Sequence, residues 1–581
     1  MANSLSEIRS YENLNSYTNL NHDDDHDHVR GYHRAGIKRT LSLENHHERE
    51  RFNNYLEYLL TILGYAAGFG SVWRFPYLVY KNGGGVFLIP YLIMLFLIGI
   101  PSFYFETALG QMLQKSPPQC FEKTHKKFKG LGIFPLLTTF SMSTYYNLIL
   151  GYSFYFLYQS FTSPLPWAAP KDSTVPWNSD YFYKEVLQFS SSISEIGHII
   201  WPLLFCYILS QVIVYLCIQK GVAVSGRVAI ITATSPYVLL FLLLLRGMFL
   251  PGSWQGIKWL FMPDWSKLSQ LRVWVDATNQ AIFQVSTGGG VLVLFGSYRP
   301  LSQEIKRSSY LIPLFTVLCG FLASMAIFSF MGYMSHITKI PIDEIPLRGP
   351  DLTFIVFPAV LTKMPFSNLL AIVFFITMIF LGIDTQFAFM DGLAGTLEDE
   401  LNGDGLVILS QRIPMKWVRA LVCGAVSLFG FIYCTQAGFY YLDLVDTYGV
   451  GFNLFMGLFI EVFFFTWIEK WDVIEEKVKL YIQDPTPQIF IFLLHYSVPF
   501  FTASMGLLSL YFQITKIFDQ PWWCTILGWI ITLYPYYIVY YFYNRYKDIH
   551  YEQDEVKSPI NNQNMISTKA LLQEMHEPQA K

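Results

Sequence analysis

The feature that leaves this chain the fewest options is a series of apolar blocks at roughly 54–80, 85–113, 131–162, 199–218, 227–250, 273–298, 309–336, 366–396, 417–435, 439–465, 489–513 and 522–544. At 1.5 Å per helical residue, about 20 residues cross the ~30 Å hydrocarbon core of a bilayer. Backbone in hydrocarbon must satisfy its own polar groups, and a helix does so within one segment. Of the 581 residues, 52% are hydrophobic and 14% charged, whereas an ordinary globular chain is roughly 25% charged. So few charges do not cover a water-exposed surface, which rules against a soluble helical protein. The expectation is an all-α polytopic membrane protein with 12 transmembrane helices. Lys and Arg are not gathered on one soluble face, so nucleic acid is not an expected partner. There is neither a hydrolytic nucleophile constellation nor a phosphate-binding loop, which argues against an enzyme or an ATP-driven pump.

Residues 1–50 are polar and read as a disordered N-terminal tail with no signal peptide, and residues 545–581 form a second polar tail. The run Asn21-His22-Asp23-Asp24-Asp25-His26-Asp27-His28 reads as a solvated acidic segment rather than a metal site. An even number of spans places both termini on one side. Lys115, Lys123, Lys126, Lys127 and Lys129 mark that side as cytoplasmic. The loop after the third block, with Pro164, Pro166, Trp167, Pro170, Pro176 and Trp177, then lies outside; it has no cysteine and no N-glycosylation acceptor. A segment around 350–364, with Pro350 and Pro358, is too short to span and is expected to pack as helical pieces over the outer vestibule. The seven cysteines, at 120, 206, 217, 319, 423, 434 and 524, read as free thiols, mostly buried.

Two blocks are locally irregular. The first runs Leu63-Gly64-Tyr65-Ala66-Ala67-Gly68-Phe69-Gly70-Ser71-Val72-Trp73-Arg74-Phe75-Pro76, and the sixth runs Phe283-Gln284-Val285-Ser286-Thr287-Gly288-Gly289-Gly290. Glycine weakens a helix. Glycine-interrupted helices at corresponding places in two halves are the expected mark of an inverted-repeat transporter. The transporter domain is therefore 51–544, with a first repeat over about 54–250, a second over about 273–465, and two further helices over about 489–544. Unwinding frees carbonyls that suit an alkali cation, and amides that suit an anionic group.

Asp384 lies deep in the eighth block, where an ionised carboxylate costs several kcal/mol unless a cation or proton neutralises it. Either an ion site or a structural hydrogen bond explains it, and Thr385 adds a hydroxyl oxygen. Arg74 and Asp446 read as a charge pair across a vestibule or as interfacial anchors. Glu106 and Glu461 read as internal packing or capping groups.

Several stretches together resemble the neurotransmitter:sodium symporter family, the sodium-coupled transporters of amino acids and amines. They are Tyr65 to Tyr77 followed by Lys81-Asn82-Gly83-Gly84-Gly85, Gly99-Ile100-Pro101 through Gln111, Ser143-Thr144-Tyr145-Tyr146-Asn147, Leu381 to Phe387, Arg246-Gly247 to Pro251-Gly252, and Thr435-Gln436-Ala437-Gly438. The resemblance covers 49–544 and implies a LeuT-like 5+5 inverted repeat with discontinuous helices 1 and 6. It implies a second sodium site at the carbonyls of Gly64, Ala67 and Leu381 with the side chains of Asp384 and Thr385. The first sodium site would use the Ala66 carbonyl with Ser71, Gln284 and Thr316, where the family has asparagine, a hydroxyl residue and asparagine; Ser71 is also shorter than asparagine. Chloride would be held by Tyr91, Gln280, Gln284 and Thr316, but Gly320 replaces the usual serine, which weighs against strong chloride dependence. At least one Na+ is expected, with chloride left open.

For the solute, the resemblance implies contacts with Tyr65, Ala66, Gly68, Phe69, Gly70, Met142, Tyr146, Phe283, Ser286, Gly289, Gln386 and Phe389. Glycine at 68, where amine transporters have aspartate, favours a solute carrying its own carboxylate. That carboxylate would meet the amides of Phe69 and Gly70 and the Tyr146 hydroxyl, while Gln386 favours a neutral or mildly polar amino acid. Arg74 with Asp446, and Arg49 with Asp399, would be the outer and cytoplasmic gates, with Phe52 where the family has tryptophan. The expected function is sodium-coupled symport of a small amino acid across the plasma membrane. The altered first site leaves two alternatives: a non-transporting or sensory relative, and a proton-coupled carrier. The sequence does not settle the oligomeric state.

Overall fold

The computed structural model describes residues 51–52, 54–169, 178–219, 222–345, 351–401, 406–408, 411–515 and 521–548. The acidic His/Asp run and Arg49 lie outside them. Among the described residues, nine helices are long and apolar enough to cross a membrane: Gly84–Leu113, Trp201–Ile218, Gly226–Met248, Lys306–Thr338, Ser367–Glu400, Met415–Cys434, Gly438–Ile468, Gln488–Thr515 and Trp522–Tyr546. Large apolar side chains face outward from them, with Phe205 68% and Leu428 69% exposed, as on a surface wetted by lipid. The third expected block forms the 31-residue helix Lys129–Gln159, whose run from Thr138 to Asn147 is rich in polar residues and buried rather than lipid-facing. The first and sixth blocks are the interrupted ones.

Helix starts follow local chemistry. The Asn54 side chain accepts from the Glu57 amide at 2.8 Å and caps Tyr55–Ala66. Pro76, Pro101, Pro202 and Pro236 sit in first turns, where an N–H is not needed. Among the described residues a two-stranded antiparallel hairpin, Leu406–Ile408 with Gln411–Ile413, departs from the helical pattern between Ser367–Glu400 and Met415–Cys434. The short segment Leu352–Thr362 is helical as expected. It packs against the loop after Lys129–Gln159, with Trp167 Nε1 donating to the Pro358 carbonyl at 3.0 Å and the Tyr183 hydroxyl to Asp351 at 2.5 Å. The seven cysteines are free, and all but Cys217 are buried.

The first block is helical over Tyr55–Ala66, opens at Ala67 and Gly68, and resumes as a π-helical turn at Gly70–Arg74 before Phe75–Lys81. The sixth is helical over Leu271–Gln284 and Val291–Ser297. Between these pieces Ser286, Gly288 and Gly290 have φ of 60°, 78° and 74°, a left-handed path that glycine takes without strain. The freed backbone finds partners on neighbouring helices. Fully buried Glu106 accepts from the Gly288 amide at 2.6 Å, and the Thr139 hydroxyl donates to the Gly289 carbonyl at 2.8 Å. Gly457 of the tenth block presses on the same turn, since a Cβ there would lie 2.9 Å from the Gly288 carbonyl oxygen. Val291–Ser297 is clamped to Ile100–Leu113 by glycines on both sides: a Cβ on Gly296 would lie 2.6 Å from the Thr107 carbonyl oxygen, and one on Gly110 would overlap the Val293 carbonyl.

These contacts predict that Glu106→Ala, which leaves a buried amide without its acceptor, costs about 1–3 kcal/mol. It should lower the melting temperature of the purified protein in detergent, whereas Glu106→Gln, which keeps an acceptor oxygen, restores most of it. Outside the spans, Lys477 lies on the connecting helix Asp472–Tyr481. Burial first, and then Lys123 beside it, push its ammonium down from 10.5 to about 8. Because the folded protein releases this proton more readily than the unfolded chain, Lys477 destabilises the fold below pH 8, and the penalty fades as pH rises toward 10.5. Lys477→Met should therefore melt higher than the parent at pH 7, with the difference narrowing at pH 9 and above.

Candidate functional site

The two breaks face each other across a small cavity with about 20 Å³ of free space, room for about one water. Its wall contains Tyr65, Ala66, Gly68, Gly70, Met142, Tyr146, Phe283, Ser286, Gly289 and Phe389, all expected from the sequence, together with Thr287, Thr385 and Leu454. Phe389 stands edge-on to both Tyr65 and Tyr146, with centroids 5.8 and 5.5 Å away. Phe69 and Gln386 do not line the cavity. The Phe69 ring packs on Tyr146, centroids 5.0 Å apart, while its amide donates to the Tyr146 hydroxyl at 3.0 Å. Gln386 directs its amide away, to the Ser143 carbonyl at 3.2 Å and toward Gln211. Gly68 has no room for a side chain: a Cβ there would lie 2.5 Å from the Tyr146 hydroxyl and overlap Thr385 Oγ1.

Asp384 is buried next to the end of the first half-helix. One oxygen accepts from the Thr232 hydroxyl at 2.5 Å. The other, Oδ2, is buried without a hydrogen-bond partner among the described residues and points at Gly64, where a Cβ would collide with it. Thr385 Oγ1 lies 3.0 Å from the Tyr65 carbonyl oxygen and 3.5 Å from that of Gly64. Ala67 closes the helix, its amide bonded to the Leu63 carbonyl at 2.7 Å, and buried Leu381 lies one turn before Asp384. A carboxylate oxygen without a donor, beside carbonyls released by a helix end, is a donor set that a small hard cation completes.

The residues expected at the first sodium and chloride sites also come together, but differently. The Gln284 carboxamide lies at their centre: its oxygen accepts from the Tyr91 hydroxyl at 2.8 Å and from Gln280 Nε2 at 3.2 Å. Its nitrogen donates to the Thr316 carbonyl at 2.7 Å and to Ser71 Oγ at 3.3 Å. The Thr316 hydroxyl turns back to the Pro313 carbonyl at 2.8 Å.

A second cavity of about 140 Å³, lined among others by Arg74, Arg272, Asp276 and Asp446, lies beyond Phe283. The Arg74 guanidinium rests on the Phe283 ring, 4.8 Å from its centroid. Asp446 accepts from the Tyr145 hydroxyl at 2.6 Å, so Arg74 and Asp446 share this cavity without bonding directly. At the other end Phe52 packs edge-on against Tyr58, Phe295 and Tyr298. Buried Arg299 lies over the Tyr58 ring at 4.2 Å and donates to the Glu304 carbonyl at 2.6 Å. The Asp399 carbonyl accepts from Gln119 Nε2 at 2.8 Å. Thr232, Thr139, Tyr145, Thr287, Leu454 and Arg299 were not anticipated. Each is a common residue type in a helix or turn, and nothing in a single sequence pairs it with its distant partner.

Known proteins agree with this picture. The profile of the "Sodium:neurotransmitter symporter family" matches residues 49–180 and 170–549. The "Sodium- and chloride-dependent glycine transporter 2" of Xenopus laevis is 35% identical over 461 residues, which cover 70% of this chain and 57% of that protein. The "Sodium- and chloride-dependent GABA transporter 2" of Mus musculus is 33% identical over 525 residues, covering 84% and 85%. The "Creatine transporter" of Torpedo marmorata is 32% identical over 520 residues, covering 84% and 83%. With most of its length matched and its apolar helices in place, the chain belongs to the sodium:neurotransmitter symporter family of multi-pass membrane transporters.

Proposed function

We propose that this chain is a secondary active symporter that uses a sodium gradient to drive uptake of a small, neutral or mildly polar amino acid or related zwitterion by alternating access. The observation that carries the reading is the buried, half-partnered Asp384 set against the end of the first half-helix, one residue from the wall of the cavity. Sodium at Asp384 Oδ2 neutralises a charge that is otherwise costly in this setting. Thr385 belongs both to that donor set and to the cavity wall, so ion and solute order the same hydroxyl.

The solute enters a cavity whose lining residues carry no formal charge, so the charged ends of a zwitterion would be met by backbone and hydroxyl groups rather than by side-chain ion pairs. Its carboxylate takes over the Phe69 amide and the Tyr146 hydroxyl, which bond to each other at 3.0 Å. Its ammonium meets carbonyls at the two helix breaks. Glycine, GABA and creatine, named for the relatives above, are small zwitterions of this kind. The narrow free space and the aromatic wall of Tyr65, Tyr146 and Phe389 favour a small solute. The remaining parts of the reading are twelve crossings in two inverted repeats of five plus two further helices, both termini cytoplasmic, and residence in the plasma membrane. The Lys-rich connector supports the orientation, with Lys129 paired to Glu122 at 2.8 Å and to Glu400 at 2.5 Å. Arg74 and Asp446, which share the wider cavity, close it when solute is bound. Closure is favoured only when ion and solute together bind the closed state better than the open one.

The test is uptake of a panel of radiolabelled amino acids, with GABA and creatine, into proteoliposomes with and without an inward sodium gradient. Sodium-driven accumulation of one solute is expected, and Asp384→Ala should abolish it. Thr232→Val, which removes the hydroxyl that positions the carboxylate, should raise the half-saturating sodium concentration about tenfold while leaving transport measurable at high sodium. Uptake indifferent to sodium would replace this reading with a proton-coupled one, and solute binding without uptake would replace it with a sensor.

A further inference from the structure

The relatives are named as chloride-dependent as well as sodium-dependent, yet the polar junction between the first, second, sixth and seventh blocks is built to be neutral and complete. A carboxamide offers two N–H donors and an oxygen with two lone pairs. At Gln284, which is fully buried, all four are used: the oxygen by Tyr91 and Gln280, and the nitrogen by Ser71 and the Thr316 carbonyl. The donors that would hold an anion thus already serve a neutral oxygen. Of the side-chain oxygens that would face a cation, Ser71 Oγ already faces an amide nitrogen and the Thr316 hydroxyl is turned to the Pro313 carbonyl. Gln280 Nε2 is further committed to the Gly70 carbonyl at 2.9 Å. This leaves Gln280 Oε1 as the one buried oxygen of the two glutamines without a partner among the described residues, and a single neutral oxygen is not a cation cage.

Residue 320 fits the same arrangement. A Cβ on Gly320 would lie 3.1 Å from Gln284 Nε2 and 3.0 Å from the Phe75 ring, so a side chain there and the carboxamide compete for one space. We infer that the Gln284 carboxamide is a built-in, uncharged occupant of this junction, standing where a cation and an anion would otherwise balance each other. This chain therefore binds a single sodium ion, at Asp384, and is indifferent to chloride. The inference rests on the reading of Asp384 as the sodium site. A bound cation and anion bring opposite charges that must each be desolvated, and the carboxamide supplies the same opposed polarity as one covalent dipole. Its N–H₂ end lies toward Ser71 and Thr316, and its oxygen lies toward Tyr91 and Gln280.

The experiment is equilibrium binding of ²²Na⁺ to the full-length protein in lipid nanodiscs, in chloride and in gluconate. The expected result is one sodium per chain, the same isotherm in both anions, and no binding to Asp384→Ala. Two sodium ions per chain, or an apparent affinity about fivefold or more tighter in chloride, would overturn the inference and leave the sodium-coupled reading standing. No sodium binding by the parent protein would overturn both. The double variant Gln284→Ser/Gly320→Ser removes the occupant and restores a hydroxyl at each position. Its isotherm should become chloride-sensitive, and an isotherm still blind to chloride in a variant that retains one sodium per chain would show that Gln284 is not what excludes the anion.

Discussion

Everything at the centre of this protein depends on one constraint: backbone that leaves its helix in a low-dielectric interior must be bonded by something else. The sixth block can open at Gly288 to Gly290 because Glu106 supplies an acceptor for one freed amide and Thr139 a donor for one freed carbonyl. The first block can open at Ala67 because Thr385 reaches the Tyr65 carbonyl. These partners come from the second, third and eighth blocks, so neither break is a local property of its own helix. They explain why neighbouring glycines press so closely on Val291–Ser297 and on Gly288, and why the cavity lies where it does. A cavity at any other depth would need another set of partners for the same freed groups.

Two polar centres flank that cavity and differ in kind. Around Asp384 the bonding is incomplete, with an acidic group holding one donor and keeping one oxygen without a partner among the described residues. Around Gln284 it is complete, with a neutral group using every donor and acceptor it has. Buried polar groups are costly only when unsatisfied. The first centre is therefore poised to take up a ligand, while the second contributes rigidity between four blocks.

The parts of this arrangement legible in the sequence were those that violate a strong rule. Glycines at 64, 68 and 70, the run Gly288 to Gly290 and a carboxylate at 384 stand out because hydrocarbon tolerates none of them without cause, and the structure does break the helix at both glycine-rich places and bury the carboxylate. Satisfied groups left no such signal. Thr232 and Thr139 look like ordinary helix hydroxyls, and Thr232 Oγ1 also lies 3.0 Å from the Val228 carbonyl oxygen of its own helix. The family resemblance implies Gln386 as a cavity contact, but one helical step from Thr385 turns a side chain by about 100°, and its amide reaches Ser143 and Gln211 instead. The hairpin at Leu406–Ile408 and Gln411–Ile413 was missed because three-residue strands carry too little periodicity to separate from a loop.

On the proposed sodium-coupled reading, the position of Thr385 would let an ion act on a solute without touching it. Its hydroxyl lies within 3.0 Å of the Tyr65 carbonyl, lines the cavity, and is attached to the residue next to Asp384. On the reading proposed above, a cation at Asp384 would pull on the carbonyls at the end of the first half-helix, and a shift there would be felt at Thr385 and at the Gly68 turn, where a Cβ would not fit. Beyond that turn the Phe69 amide holds Tyr146, so the chain of contacts runs from the carboxylate to the group that would receive the solute's own carboxylate. Packed groups of this kind shift between discrete arrangements rather than deforming gradually. On the proposed reading, that discreteness would make the binding of one partner a condition for the other.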